Sequence, residues 1–346
     1  MDLEQTLSRL LVSGKGILAA DESGKTANLR LAEAGVGQNE ENRRQYRQLL
    51  FTTPGIANGL SGVILHDETI RQKADNGQSF VELLQGLGIV VGIKTDLGLV
   101  DLAGSPGEKV STGLEDLAER SQEYYRLGAR FAKWRSVIRI ADGLPTEEAI
   151  KANAEVLAKY AKLSQANGLV PIVEPEVLLE GDHTLGHCQQ VLTQTLSMVF
   201  DQLKSGEAGL GQTILKTSMV LPGKDSTEQA NPTKVAEATV EALKSSVPEA
   251  VPGVVFLSGG QTPAKATEHL NQIAKLGPHP WLVTFSYSRA LQDPVLKHWA
   301  GNPSNLQSAQ AIFAKRIKLA ALAQRGKYSL DMEANNTRQT ISGGQD

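Results

Sequence analysis

The sequence predicts an α/β fold, a single (β/α)8 barrel, from three observations. Eight short apolar runs recur along its 346 residues, amphipathic helical stretches lie between them, and charged residues cluster where the runs end. The runs cover 16–21, 62–66, 89–95, 131–140, 169–177, 213–220, 254–257 and 281–287. Each is rich in Val, Ile, Leu or Phe, and most do not alternate with polar residues. Strands of that kind are buried on both faces, as in a parallel sheet covered by helices.

The helices announce themselves by their ends. After Pro145, Thr146 is an N-cap candidate, with Glu147 and Glu148 in the first turn where the helix dipole favours acids. Ile150, Ala154, Leu157 and Ala161 then share a face, and Asn167-Gly168 stops the helix. Similar stretches cover 114–127, closed by Gly128, and 232–243, opened by Pro232. The barrel domain is expected over 1–328. Residues 329–346 carry little apolar content and no period, and read as a flexible C-terminal tail.

Composition restricts the function classes. A net charge of -3 gives no support for nucleic-acid or membrane-surface binding. No apolar run approaches the roughly 20 residues that span a bilayer. Cys188 is the single cysteine, so an intrachain disulfide is impossible, which fits a reducing compartment. The polar, acidic start of the chain carries no secretory signal. The expected place is the cytoplasm, with a plastid as the alternative if a transit peptide has been removed.

The chemistry lies at the strand ends. The first run ends in Asp21-Glu22-Ser23, the third carries Lys94 and Asp96, the fourth Lys133 and Arg135, the fifth Glu174 and Glu176, and the sixth Lys216. The seventh ends in Ser258-Gly259-Gly260 and the eighth in Ser286, Ser288 and Arg289. Side chains two apart on a strand project together, and the C-terminal rim is where barrel active sites sit. The alternative is a structural salt-bridge network. Five cations (Lys94, Lys133, Arg135, Lys216, Arg289) face four anions (Asp21, Asp96, Glu174, Glu176), a balance that suits a phosphorylated substrate. Ser258-Gly259-Gly260 ahead of a helix reads as an anion site of backbone N–H groups, the alternative being only a tight turn, and Arg289, at the start of the last helix, reads as a bidentate contact. Lys216 lies in an apolar strand beside Lys133 and Arg135. Desolvation and neighbouring cations favour its neutral amine, which can form a Schiff base with a ketone. Glu174 is placed to act as acid and base for the dehydration step.

Other patterns carry less. Gly24-Lys25-Thr26 looks like the end of a P-loop, but Ala19 stands where the leading glycine belongs. Gly86-Leu87-Gly88 precedes a strand, whereas a dinucleotide loop follows one. His183 and His187 are four apart and could share a helix face toward a metal; the alternative is a helix start near Asp182 or Thr184. His66 ends the second run and reads as a residue that only lines the core.

The motifs ILAADES (17–23), NEENRRQYRQLLFTTPG (39–55), VILHDET (63–69), GIKTD (92–96), FAKWR (131–135), PIVEPE (171–176), ILKTSMV (214–220), FLSGGQ (256–261) and SYSRAL (286–291) together resemble the class I fructose-bisphosphate aldolases, in order, from about residue 14 to 328. The resemblance implies a TIM barrel and a Schiff-base lyase of a sugar bisphosphate, with no metal, no cofactor and a homotetrameric assembly. It implies Lys216 as the Schiff-base lysine, Glu174 as the proton mediator, Lys133 as its assistant and Asp21 as the group acting on the C4 hydroxyl. It implies Ser258, Gly259, Ser286 and Arg289 at the dihydroxyacetone-side phosphate. Lys94 and Arg135, with Ser23, Thr26 and a mobile Arg30, belong at the other, and Asp96 and Glu176 support the set. Four departures stand out: Gly24-Lys25 replaces Thr-Gly, Ser288 replaces glycine, Thr217 replaces the proline of animal enzymes, and the chain ends in Asp346 rather than tyrosine. The competing readings are another Schiff-base barrel, such as a transaldolase-like transferase, and a barrel that binds without chemistry.

Overall fold

The structure, a computed structural model, describes residues 1–334. Its strands are β1 Gly16–Ala20, β2 Leu60–Leu65, β3 Val90–Lys94, β4 Leu99–Asp101, β5 Lys109–Ser111, β6 Phe131–Ile138, β7 Val170–Val177, β8 Ile214–Thr217, β9 Gly253–Phe256 and β10 Leu282–Tyr287. Eight of them close into a parallel barrel in the order β1-β10-β9-β8-β7-β6-β3-β2. The eight apolar runs are these eight strands to within a few residues, most of them trimmed and β2 and β9 starting earlier than their runs. The trimming falls where the parallel ladder stops: 218–220, for example, are buried but lie outside β8.

The lumen is divided into layers. At its floor Ile17, Ala19, Ile64, Val90, Phe131, Val170, Ile172, Ile214 and Val255 form one apolar cluster with Leu7 and Leu10. Those two leucines come from the helix Leu3–Leu10, which plugs the bottom of the barrel. Sequence reading missed this helix, although Asp2 and Gln5 form a capping box whose spacing is visible in the chain. The outer faces of the strands pack against the surrounding helices in a second, larger core. The apolar floor fixes what comes above it, because a strand returns to the same face every second residue. Two residues past Ala19, Ile64, Phe131, Ile172 and Ile214 stand Asp21, His66, Lys133, Glu174 and Lys216. Gly92 takes part for a steric reason: a Cβ there would lie 2.3 Å from the Phe131 ring.

The helices begin where the caps predict. Thr146 caps Glu147–Ala166, Thr184 caps Leu185–Ser205, Asn231 caps Pro232–Ser246 and Thr262 caps Pro263–Lys275, each accepting a backbone N–H. Gly128, at φ +110, ends Leu117–Leu127 in the left-handed conformation that glycine adopts without strain. Two expectations shift. The Ser258-Gly259-Gly260 turn is not a helix N-terminus, because Thr262 holds that position. The helix Arg289–Trp299 is not the last, because Leu306–Gln324 follows it. The antiparallel pair β4–β5 is also new; its strands of three residues are too short to show a period. At the C-terminus, residues 331–334 form a helical turn, and Glu333 pairs with Arg316 at 2.6 Å and accepts from the Tyr328 hydroxyl at 2.9 Å. The rest of the expected tail, 335–346, lies outside the described residues.

Candidate active site

A cavity of about 960 Å3 opens at the C-terminal end of the barrel, and all fifteen candidate residues line it: Asp21, Ser23, Thr26, Arg30, Lys94, Asp96, Lys133, Arg135, Glu174, Glu176, Lys216, Ser258, Gly259, Ser286 and Arg289. At its base the charges alternate. Lys133 Nζ lies 2.7 Å from Asp21 Oδ2 and 3.0 Å from Glu174 Oε2, and Lys216 Nζ lies 2.8 Å from Glu174 Oε1. All four side chains are under 10% exposed, so the attraction acts in a region of low dielectric. The Lys133 contact with Glu174 is off the hydrogen-bonding direction, which leaves Oε2 without a hydrogen-bond partner.

These contacts set the proton affinities. Burial alone would raise the Glu174 carboxyl, but Lys133, Lys216 and Arg135 outweigh it and hold the group at about 2. Asp21 is also raised by burial and, on balance, lowered by Lys133 and Lys216. Burial lowers Lys133, while Asp21 and Glu174 more than reverse this and keep it an ammonium. The sequence suggests an amine at Lys216 surrounded by cations; the structure corrects this, because a carboxylate from β7 stands against it.

Higher on the wall, Lys94 Nζ pairs with Asp96 Oδ1 at 2.7 Å and Arg135 Nε with Glu176 Oε2 at 2.5 Å. The rim is therefore an ion-pair network, as the structural reading of the sequence expects. Asp96 further accepts from the Arg135 backbone N–H at 3.3 Å. Across the mouth, Arg289 is exposed and makes no salt bridge among the described residues. Near it the Ser286 hydroxyl is buried without a partner, and Gly259 and Gly260 adopt φ of +56 and +86. These are free donors on one side of the cavity.

Three positions on this side of the cavity are engaged by the protein itself. Ser23 is the N-cap of the helix Gly24–Glu33, accepting from Thr26 N–H, so both hydroxyls are engaged locally. Arg30, expected to be mobile, is tied to Glu22 and to Asp293 Oδ1, the latter at 2.7 Å. Ser288 points its hydroxyl at Glu22 Oε1, 2.7 Å away. Glu22 is the hub of that cluster, since Arg47 also reaches its Oε2 at 2.5 Å. His183 precedes the helix that Thr184 caps and His187 lies within it, so the two do not share a helical face. Among the described residues no group of three or more His, Cys, Asp or Glu could hold a metal ion. Sequence reasoning left His66, Glu22 and the Leu97–Leu99 wall out of the site; all line the cavity.

A parallel barrel whose mouth carries buried amines, paired carboxylates and free hydrogen-bond donors has the layout of an enzyme acting on small anionic compounds. Comparison with known proteins narrows this class. The family model for fructose-bisphosphate aldolase class-I matches residues 2–343. A probable fructose-bisphosphate aldolase class 1 from Xanthomonas axonopodis pv. citri is 49% identical over 94% of this chain and 98% of its own. Fructose-bisphosphate aldolase 5, cytosolic, of Arabidopsis thaliana is 50% identical over 95% of this chain and 92% of its own. The fructose-bisphosphate aldolase of Plasmodium falciparum, solved with TRAP and a small-molecule inhibitor, superposes with a TM-score of 0.93 at 45% identity, covering 94% of this chain and 95% of that one.

The chain belongs to the class I fructose-bisphosphate aldolase family. The family's reaction is the reversible, metal-independent cleavage of fructose 1,6-bisphosphate to dihydroxyacetone phosphate and glyceraldehyde 3-phosphate.

Proposed function

We propose that Lys216 carries this cleavage as a Schiff base, with Glu174, Lys133 and Asp21 moving the protons. The carrying observation is that Glu174 bridges both amines, at 2.8 Å and 3.0 Å. Held at about 2, Glu174 starts ionised at neutral pH. It accepts a proton from Lys216, the neutral amine attacks the C2 carbonyl, and a second proton passes from the nitrogen to the carbonyl oxygen to give the carbinolamine hydroxyl. The same carboxyl then returns the first proton to the carbinolamine hydroxyl, which leaves as water. Lys133 remains charged and stabilises developing negative charge on oxygen. Asp21 takes the C4 hydroxyl proton, the C3–C4 electron pair flows to the iminium, and the aldehyde departs. Protonation of the enamine and hydrolysis of the imine release dihydroxyacetone phosphate and the lysine.

The phosphates are assigned by the free donors. Ser258, Gly259, Ser286 and Arg289 take the ketone-side phosphate, and Lys94 and Arg135 the other, by exchanging their present carboxylate partners Asp96 and Glu176 for it. Ser23, Thr26 and Arg30 line the approach. Two separated anchors favour a bisphosphate over the transaldolase-like reading. Family membership supports a homotetramer. Likeness to the cytosolic Arabidopsis relative supports a cytosolic place; a chloroplastic relative from the same plant, 47% identical, supports the plastid alternative. Borohydride with fructose 1,6-bisphosphate should trap the sugar on the Lys216 peptide, and Lys216→Ala should trap nothing. Full cleavage activity in that variant would sink the mechanism.

A further inference from the structure

One ring on the cavity wall has no part in the chemistry above. His66 lies directly after β2, two residues past Ile64 of the lumen floor, and lines the cavity. Strand register fixes its neighbours. Ala20 pairs with Leu65 and Leu65 with Ile93 across β1, β2 and β3. The next residue on each strand is Asp21, His66 and Lys94, so the three stand in one row with the histidine in the middle.

The ring's own bonding decides what it presents. Nδ1 accepts the Glu68 backbone N–H at 3.4 Å, at the N-cap of the short helix Asp67–Ile70. That leaves the proton on Nε2 in the neutral ring. Among the described residues nothing bonds Nε2. Burial, and then the charge of Lys94, lower the ring's proton affinity, against the smaller pull of Asp21, Asp67 and Glu68. The group is therefore a neutral donor at neutral pH, fixed on one side and free on the other.

We propose that His66 is a substrate-contacting residue for the aldehyde half, its Nε2–H donating to an oxygen of the C4–C6 fragment between Asp21 and Lys94. This rests on the assignment of Asp21 to the C4 hydroxyl and Lys94 to the distal phosphate. Lys216, which takes the ketone half, stands on β8, four strands from β2 in either direction around the barrel. A donor so placed discriminates hydroxylated aldehydes from deoxy analogues, because a site built around a hydroxyl is left unpaired without it.

Two variants and two reactions test it. His66→Leu removes both the donor and the cap acceptor. His66→Asn keeps an oxygen for the Glu68 N–H but is too short to reach the substrate. Each is assayed for fructose 1,6-bisphosphate cleavage and for exchange of the C3 proton of dihydroxyacetone phosphate with deuterated solvent, which needs the ketone half alone. Both variants should lose about tenfold in kcat/KM for cleavage, the worth of one neutral hydrogen bond, and keep the exchange rate of the parent. The proposal is overturned by unchanged cleavage, by a proportional loss of exchange, or by an Asn variant that cleaves normally while Leu does not, since that pattern assigns the residue to capping. Failure of the unmodified protein to be trapped by borohydride at Lys216 would instead bring down the underlying site reading.

Discussion

Glu174 Oε1 lies 2.8 Å from Lys216 Nζ, while the other oxygen of the same carboxyl is 3.0 Å from Lys133 Nζ. One carboxylate thus serves two amines, and its replacement separates charge from shape. Glu174→Gln keeps the volume but neither accepts a proton nor balances the lysines. The expected result is a fall in kcat of about 10^2–10^4-fold, the usual worth of a positioned acid–base group, with KM little changed. Slow single-turnover trapping at Lys216 should accompany it. A variant that traps at the parent rate would show that another group shuttles the proton.

The two phosphate anchors separate by substrate. Arg289 stands free at the mouth, whereas Arg135 is held by Glu176 at 2.5 Å. With fructose 1-phosphate, which lacks the distal phosphate, Arg289→Ala should raise KM by about ten- to a hundredfold, as expected for a charged hydrogen bond. Arg135→Ala should leave that KM alone and raise the one for fructose 1,6-bisphosphate. The opposite pattern would exchange the two sites.

Acid should loosen the rim before the floor. Burial raises Glu22, but Arg47 and Arg30 prevail and hold it at about 2, below its ordinary 4.5. A carboxyl with a depressed folded value stabilises the protein fully above its unfolded value and loses that contribution as pH falls through the folded one. The contribution of Glu22 is therefore complete above about pH 4.5 and fades toward pH 2. Thermal melts across that window should show a steep fall in Tm, shallower in Glu22→Gln. That variant starts lower at pH 7, by about 3–5 kcal/mol, because Arg30 and Arg47 lose a buried partner. Parallel pH slopes for the two proteins would remove Glu22 from the acid response.

Leu10 is fully buried in the lumen floor, directly under the layer that carries the lysines. Leu10→Ala opens a hole there and should cost about 2–5 kcal/mol. Because Ile172 and Ile214 of the same cluster precede Glu174 and Lys216 by two residues, kcat should fall as well. A stability loss with unchanged kcat would mean that the floor does not position the chemistry.

The barrel was legible because its strands are buried on both faces, so their apolar runs stand out against polar loops. The site was legible for a related reason: Lys133, Glu174 and Lys216 interrupt those runs two residues past a floor residue, and alternation alone assigns them to the lumen. By the same rule His66 follows Ile64, yet one aromatic nitrogen base at a strand end carries no charge pattern to set it apart. Pairing was not legible. Nothing in the order of residues says that Glu174 meets Lys216 or that Arg30 is held by Asp293. Those contacts join segments far apart in sequence, and the curvature of the closed sheet decides them. The hairpin β4–β5 was lost through brevity.

Ser288, where the family resemblance leads one to expect glycine, tests how the rim is held. Its hydroxyl donates to Glu22 Oε1 at 2.7 Å and accepts from Gln292 Nε2 at 3.1 Å, and Arg30 approaches it at 3.4 Å. Glu22 and Arg30 line the cavity beside it, and the side chain braces the first rim loop against the helix that Arg289 opens. Ser288→Gly removes the brace and leaves Glu22 with its two arginines. The expected cost is about 1 kcal/mol of stability, the net worth of a hydrogen bond, read as a lower Tm. KM for fructose 1,6-bisphosphate and for fructose 1-phosphate should both remain as in the parent. If both KM values rise several-fold while Tm stays fixed, the hydroxyl contacts the ketone-side phosphate directly, and the brace is not its function.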